Sequence, residues 1–166
     1  MTNLNINKKK IVVIGAGYVG MSISSLLAQH NDVIVVDINE ERVKKINNKI
    51  STVADKEITE FLSNKDLSIS ATHHYEEAVI DADFVIIATP TNYDIETNFF
   101  DTKSVEESIK NVLKFNKSAV IIIKSTVPVG FTEKQISLHK NNKIYFSPEF
   151  LREGSALLDN LYPSRI

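Results

Sequence analysis

The chain is organised around the segment Ile11-Val12-Val13-Ile14-Gly15-Ala16-Gly17-Tyr18-Val19-Gly20. An apolar run of strand length leads directly into three glycines spaced as Gly-x-Gly-x-x-Gly, and residues 19–29 continue with the apolar spacing of an amphipathic helix. A glycine turn between a buried strand and a helix is the context in which the backbone binds a dinucleotide. A turn without a ligand is the alternative, and the flanking strand and helix favour the binding interpretation.

The three glycines have different expected tasks. Gly15 permits a tight turn, Gly17 lets the backbone approach a pyrophosphate, and Gly20 lets the helix pack closely against the strand. The phosphates are expected at the helix N-terminus, where free N–H groups and the helix dipole attract an anion.

The rest of the chain alternates between short apolar runs and helical patterns. Strands are predicted at residues 11–14, 33–36, 67–71, 84–88, 120–123 and 144–146. Helices are predicted at residues 19–29, 40–47, 56–62, 75–80, 103–115 and 132–138. In the first helix one face is expected to hold Val19, Ile23, Leu26 and Leu27. This alternation predicts an α/β fold, with a doubly wound, Rossmann-type parallel sheet of about six strands and helices on both faces.

Composition narrows the function classes. With 166 residues, 43% of them hydrophobic, residues 1–166 are predicted to form a single domain. A net charge of -2 gives no electrostatic basis for binding nucleic acid or an anionic membrane. The chain has no cysteine, and its four histidines lack metal-ligand spacing, so no metal site is expected. The polar start and strand-sized apolar runs predict no signal peptide, no membrane span and a cytoplasmic location.

Asp37 selects the type of dinucleotide. It ends the second predicted strand, about 20 residues beyond the first glycine, where an acidic side chain hydrogen-bonds the adenosine ribose. Its charge is expected to repel a 2′-phosphate, so NAD is predicted rather than NADP, although the nearby Arg42 weakens that preference. The alternative role for Asp37 is a cap on the following helix.

Further polar segments follow strands, so they are expected at the carboxyl edge of the sheet beside the glycine turn. Thr89, Pro90 and Thr91 follow one strand; Thr91 is expected to reach the cofactor, or else Pro90 only sets a turn. Ser125 and Thr126 follow the next strand, which places Thr126 near the nicotinamide end. The intervening loop at residues 92–101 is predicted to be a substrate lip or a subunit contact because it contains Tyr93, Phe99 and Phe100.

The last strand is followed by a charged segment, Ser147-Pro148-Glu149-Phe150-Leu151-Arg152-Glu153-Gly154. Glu149 and Glu153 are candidates for a general base or for orienting a water molecule. Arg152 can pair with a phosphate in a bidentate fork. A single glutamate at such a place is usually solvated or a cap, whereas this cluster indicates a substrate site.

Taken in order, these segments resemble the UDP-glucose 6-dehydrogenase family, and the likeness runs from Lys10 to the last residue. It rests on the glycine turn, on Ala88-Thr89-Pro90-Thr91-Asn92-Tyr93, on Lys124-Ser125-Thr126-Val127-Pro128-Val129-Gly130 and on Ser147 to Gly154, followed by Asp159-Asn160-Leu161-Tyr162-Pro163-Ser164-Arg165-Ile166. The resemblance implies a two-step, four-electron oxidation of the C6 alcohol of UDP-glucose to a carboxylate, giving UDP-glucuronate. Two NAD and a covalent thioester on a cysteine take part.

The resemblance also implies roles for individual residues. Cofactor contacts are implied for Val19, Asp37, Arg42, Thr91, Thr126 and Glu153, beside Gly15, Gly17, Tyr18, Gly20, Thr89, Pro90 and Ser125 of the same segments. Catalytic positions around the reacting carbon are Thr126, Glu149 and Glu153. Contacts to the nucleotide sugar are implied for Glu149, Phe150, Leu151, Arg152 and Glu153.

The chain departs from the family pattern in two places. Family members continue through a central helix and a second domain that supplies the cysteine, whereas this chain ends at Ile166. The chain alone is therefore expected to hold only part of the UDP-glucose site and to lack the thioester chemistry, and its full-length relatives are expected to be homo-oligomers. In addition, Thr52 follows Ser51 where the family often has a proline.

Two other functions stay open. A UDP-N-acetyl-sugar or GDP-mannose dehydrogenase is the nearest alternative, and Asn92-Tyr93 together with the full Ser147 to Gly154 segment favours UDP-glucose. The other is a non-catalytic NAD-sensing module, such as the regulatory Rossmann domains of potassium channels. Such modules do not require Lys124-Ser125-Thr126 or Ser147-Pro148-Glu149.

Overall fold

A six-stranded parallel sheet forms the centre of the molecule. The computed structural model describes residues 7–94 and 99–163. In chain order the strands are β1 (Lys10–Ile14), β2 (Asp32–Val36), β3 (Ile69–Thr72), β4 (Phe84–Ile87), β5 (Asn92–Asp94), β6 (Phe99–Asp101), β7 (Val120–Ile123) and β8 (Ile144–Phe146). All but β5 and β6 belong to the sheet, in the order β3-β2-β1-β4-β7-β8, and every pairing is parallel. The predicted doubly wound sheet is confirmed.

Helices cover both faces of this sheet. They are α1 (Tyr18–Leu27), α2 (Glu40–Asn47), α3 (Lys56–Asn64), α4 (Tyr75–Val79), α5 (Lys103–Phe115), α6 (Phe131–His139) and α7 (Ala156–Leu161). Residues of α4, α5 and α6 join one apolar cluster, and residues of α1, α2, α3 and α7 join the other. None of the helices in the described parts of the chain is long and apolar enough to span a membrane.

Helix α1 packs differently from the sequence prediction. The expected apolar face is only half-buried, with Ile23, Leu26 and Leu27 at the border of the core, and Val19 is half-buried at the glycine turn. The most deeply buried side chains are instead Met21 and several serines. The physical reason is that α1 contacts α3 and α7 as well as the sheet. Small residues allow this close approach on more than one side.

Three elements were not predicted. Strands β5 and β6 pair with each other antiparallel within the segment predicted as a loop at residues 92–101, and α7 follows the charged segment after β8. Strands of three residues and a helix of six are too short for apolar periodicity to show clearly. Residues 95–98 lie outside the described residues, and the role of this loop as a lip or subunit contact stays a prediction.

The strand register brings the predicted site together. Ile14 at the end of β1 pairs with Val36 and with Ile87, Ile87 pairs with Ile123, and Ile123 pairs with Phe146. Because these strands are parallel and end level with one another, the segments that follow them leave from the same edge. The glycine turn, Asp37 and the three polar segments therefore lie side by side.

Candidate functional site

A cleft of about 550 Å³ opens at this edge of the sheet. Fourteen of the predicted site residues line it: Gly15, Gly17, Tyr18, Val19, Asp37, Arg42, Thr89, Pro90, Thr91, Ser125, Thr126, Glu149, Leu151 and Glu153. Ala16, Ala88 and Lys124 complete the wall, and none of these three was assigned to the site from sequence. Gly20, Phe150 and Arg152 lie outside it.

The glycine turn has the shape that its spacing predicts. Gly15 has a φ of 104°, and a Cβ at this position would lie 2.6 Å from the Ala88 carbonyl oxygen. A Cβ on Gly20 would overlap the Gly15 carbonyl oxygen, so Gly20 keeps α1 close to the turn without lining the cleft. Apart from its chain neighbours, a Cβ on Gly17 would meet no atom of the described residues within 4 Å, which leaves open space at the cleft wall.

The N-terminus of α1 faces this open space. Gly17 is its N-cap and provides no side-chain acceptor, so the first N–H groups of α1 are not capped by a side chain. Unpaired N–H groups at the positive end of a helix dipole attract a phosphate. Space at Gly17 and uncapped N–H groups are the two features that a dinucleotide pyrophosphate requires, and the residues present fit NAD.

Asp37 is bound to the turn and does not cap α2. Its buried carboxylate accepts hydrogen bonds from the Ala16 N–H at 2.8 Å and from the Asn39 N–H at 2.9 Å. The cap of α2 is Asn39, whose side chain accepts from the Glu41 and Arg42 N–H groups. One Arg42 guanidinium nitrogen lies 3.6 Å from the Asp37 carboxylate. Asp37 thus joins the end of β2 to the glycine turn and leaves Arg42 at the cleft rim.

Serine hydroxyl groups hold the part of the cleft wall that is formed by the segment after β4. The buried Ser125 hydroxyl donates to the Thr89 carbonyl at 2.6 Å. From α5, the Ser104 hydroxyl donates to the Pro90 carbonyl at 2.8 Å and lies 3.0 Å from the Thr89 hydroxyl. These contacts hold the segment after β4 against the segment after β7. Thr126, in contrast, is exposed at the cleft.

Lys124 is the functional candidate that the sequence reasoning missed. Its ammonium forms an ion pair with the Glu149 carboxylate, and the two side chains are only 12% and 11% exposed. The same ammonium donates to the Ser147 hydroxyl at 3.2 Å. Opposite charges at the ends of adjacent strands were the available signal. The pair fixes Glu149 in the cleft, whereas Glu153 is exposed and has no ion-pair partner within the described ranges.

Arg152 turns away from the cleft and pairs with α7. Its backbone N–H and guanidinium donate three hydrogen bonds to the Asp159 carboxylate, at 2.9, 3.1 and 2.8 Å. These hydrogen bonds lower the pKa of the Asp159 carboxyl and raise that of the guanidinium. Phe150 is 68% exposed, also outside the cleft. Arg152 and Phe150 do not line the cleft, and their contacts to a nucleotide sugar stay predictions.

Within residues 7–94 and 99–163, no three histidine, aspartate or glutamate side chains are grouped so that they would hold a metal ion. The charged groups of the cleft are Arg42, Lys124, Asp37, Glu149 and Glu153. Both cations are paired with a carboxylate. An anionic ligand would therefore depend on the N-terminus of α1 more than on free basic side chains.

Comparisons with known proteins identify the family. The sequence model described as "UDP-glucose/GDP-mannose dehydrogenase family, NAD binding domain" matches residues 9–166. Two similar relatives are UDP-glucose 6-dehydrogenases of Streptococcus pneumoniae and Campylobacter jejuni, which are 47% and 46% identical over 95% of this chain. The chain spans 40% of the length of each of these curated relatives.

A solved structure supports the same placement. The UDP-glucose dehydrogenase of Pyrobaculum islandicum aligns with a TM-score of 0.80 and 26% identity. The alignment covers 98% of this chain and 41% of that one. Together with the glycine turn, these matches show that the chain belongs to the UDP-glucose/GDP-mannose dehydrogenase family and corresponds to its NAD-binding domain.

Proposed function

We propose that this chain is the cofactor half of an enzyme that oxidises UDP-glucose to UDP-glucuronate. The observation that carries the proposal is the meeting of Thr126, Glu149 and Glu153 with the glycine turn in one cleft. An NAD-sensing module needs only the glycine turn and Asp37. Carboxylates beside the cofactor position are needed when a proton or a water molecule must be handled.

We assign the following roles to the described residues. The turn around Gly17 binds the pyrophosphate and Asp37 binds the adenosine ribose of NAD. When bound, NAD accepts the hydride released from the substrate carbon. Thr126 lines the cleft beside that end, and Glu149, held by Lys124, orients the reacting group or its water. Glu153 contacts both cofactor and substrate.

The rest of the reaction is proposed to depend on groups outside residues 1–166. The chain contains no cysteine, so a thioester intermediate would need one from another part of the enzyme. Residues 1–166 are proposed to act as a single NAD-binding domain that offers part of the nucleotide-sugar site. Supporting this, the chain matches the UDP-glucose 6-dehydrogenases over 40% of their length.

Calorimetric titration with NAD and with NADP tests the cofactor part. We expect NAD to bind at least about tenfold more tightly than NADP, because Asp37 would repel the 2′-phosphate. The test variant is Gly17→Ala: apart from its chain neighbours, the added methyl group meets no atom within 4 Å in the described part of the chain, so the melting temperature should be unchanged. The same methyl group would occupy the phosphate space, and NAD affinity should fall by about tenfold or more. Equal NAD affinity in both chains contradicts the proposed site.

The substrate part is tested with the NAD-loaded chain. UDP-glucose, a UDP-N-acetyl sugar and GDP-mannose are titrated in parallel, and UDP-glucose is expected to bind most tightly. Glu149→Gln should weaken UDP-glucose binding without changing NAD affinity. Tighter binding of GDP-mannose or of the N-acetyl sugar would indicate that the enzyme oxidises that nucleotide sugar and not UDP-glucose. We expect no NADH absorbance to develop with the chain alone.

A further inference from the structure

The peptide groups on both sides of Ala16 are held by side chains from distant parts of the chain. The Ala16 N–H donates to the Asp37 carboxylate at 2.8 Å. The Ala16 carbonyl accepts a hydrogen bond from the Thr52 hydroxyl at 2.7 Å. Ala16 itself is fully buried. The middle of the glycine turn is therefore fixed in orientation before any ligand binds.

This arrangement sets the direction of the next N–H group. The described residues have no cis peptide bond, and in a trans peptide the carbonyl and the following N–H point in opposite directions. The Ala16 carbonyl points to Thr52, which does not line the cleft, whereas Gly17 does. The Gly17 N–H is thus directed away from Thr52, and it has no acceptor among the described residues.

We propose that Thr52 is a positioning residue for the cofactor: it holds the Ala16 carbonyl and so aims the Gly17 N–H at the pyrophosphate. The inference rests on the proposed function, because it assumes that the pyrophosphate lies at this turn. Thr52 stands where the resembling family often has a proline, which has no side-chain donor. The Thr52 hydroxyl adds a contact that a proline cannot form.

The loop that contains Thr52 is also stabilised by hydrogen bonds that do not involve the glycine turn. Ser51 donates to the Val53 carbonyl at 2.7 Å and accepts from the Val53 N–H at 3.3 Å. Asp55 accepts from the Ile58 N–H at 3.0 Å and caps α3. Among the described residues, the hydrogen bond from the Thr52 hydroxyl is the only one that joins residues 51–55 to the glycine turn. Its removal should therefore affect the turn more than the loop.

The test compares Thr52→Val, which removes the hydroxyl at nearly constant shape, with Thr52→Ser, which keeps it. Calorimetry with NAD should show a loss of about five- to tenfold for T52V, the effect of one hydrogen bond, and less than about twofold for T52S. Adenosine, which has no pyrophosphate, should bind both variants like the unchanged chain. In ¹H–¹⁵N spectra, ADP should shift the Gly17 amide strongly in the unchanged chain and less in T52V.

The binding measurements distinguish a positioning role of Thr52 from a merely structural role, and they also test the proposed function. NAD affinity in T52V equal to that of the unchanged chain overturns the role of Thr52 and leaves the proposed function standing. An equal loss for NAD and adenosine shows a merely structural role and also overturns it. No NAD binding by the folded, unchanged chain overturns the proposed function and this inference together. Should T52V fail to fold, Thr52→Ala removes the same hydroxyl with a smaller side chain.

Discussion

At the scale of single residues, the role of a charged side chain depends on the charged group with which it pairs. Glu149 was predicted from its place after β8, but its ion pair with Lys124 is visible only in the folded chain. A lysine after a strand is usually solvated, so the opposite charges after β7 and β8 were too weak a signal to assign Lys124 to the site. Arg152 likewise has a partner that the sequence did not predict: its guanidinium donates two hydrogen bonds to Asp159, and its role in binding a phosphate stays a prediction.

The Arg152–Asp159 pair predicts a pH dependence. Hydrogen bonds from Arg152 lower the pKa of the Asp159 carboxyl in the folded chain. A lowered folded-state pKa contributes stability above the unfolded-state pKa, and that contribution is lost as the pH falls through the folded-state value. The melting temperature of the unchanged chain should therefore exceed that of Asp159→Asn near neutral pH, and the gap should close below about pH 4.

The control for this prediction is Asp66→Asn, since Asp66 is exposed and has no partner in the part of the chain that the structure describes. Its melting curve should follow the unchanged chain at all pH values. Because Arg152 is largely exposed, the gap in D159N should be small and should shrink in high salt. A gap that persists at acid pH would contradict the ion-pair explanation.

For the secondary-structure elements, α7 illustrates what holds the charged segment in place. The buried Asp55 carboxylate caps α3 through the Ile58 N–H and accepts from the Ala156 N–H at 2.6 Å. In addition, Asn160 donates to the Ser22 hydroxyl of α1 at 2.6 Å. One carboxylate thus satisfies the N-termini of two helices. Helix α7 follows the charged segment that begins at Glu149 and fixes its end against α1 and α3.

Replacing Asp55 should therefore cost more than replacing an ordinary cap. Asp55→Ala removes the acceptor of two helix N-termini in a buried place, and we expect a loss of about 2–3 kcal/mol in the free energy of unfolding. The matched control is Asn39→Ala, which removes the exposed cap of α2 alone and should cost about 1 kcal/mol. Urea denaturation measures both, and equal losses would show that the second helix gains nothing from Asp55.

In the whole molecule, the two apolar clusters share one sheet. Val12 and Ile14 of β1 face the cluster of α4, α5 and α6, whereas Ile11 and Val13 face the cluster of α1, α2, α3 and α7. Alternate side chains of the same strand thus bind both helical layers. Neither layer can separate without exposing apolar side chains of the central strand, which favours unfolding as one unit.

Urea unfolding tests this cooperative behaviour. The chain has five tyrosines and no tryptophan, so far-UV circular dichroism and tyrosine fluorescence are suitable probes. Both should give the same midpoint. Ile109→Ala in one cluster and Leu157→Ala in the other should each lower the free energy of unfolding by about 2–5 kcal/mol and shift both probes together. Different midpoints would show that the layers unfold separately and would contradict the predicted single domain.

The sequence by itself determined the six strands of the parallel sheet, six of the seven helices in the described residues and the NAD-binding turn. These features depend on apolar periodicity and on glycines within a few residues of one another, and both are local properties. Even α2, α5, β7 and β8 have the predicted bounds.

Only the tertiary structure decided which groups meet: Thr52 with Ala16, Lys124 with Glu149, and Asp55 with α7. The physical reason is that a hydrogen bond or an ion pair depends on distances in space of a few ångströms. Residues far apart in the chain reach such distances only after the sheet has aligned its strand ends. Until then, their side chains look like ordinary solvated groups.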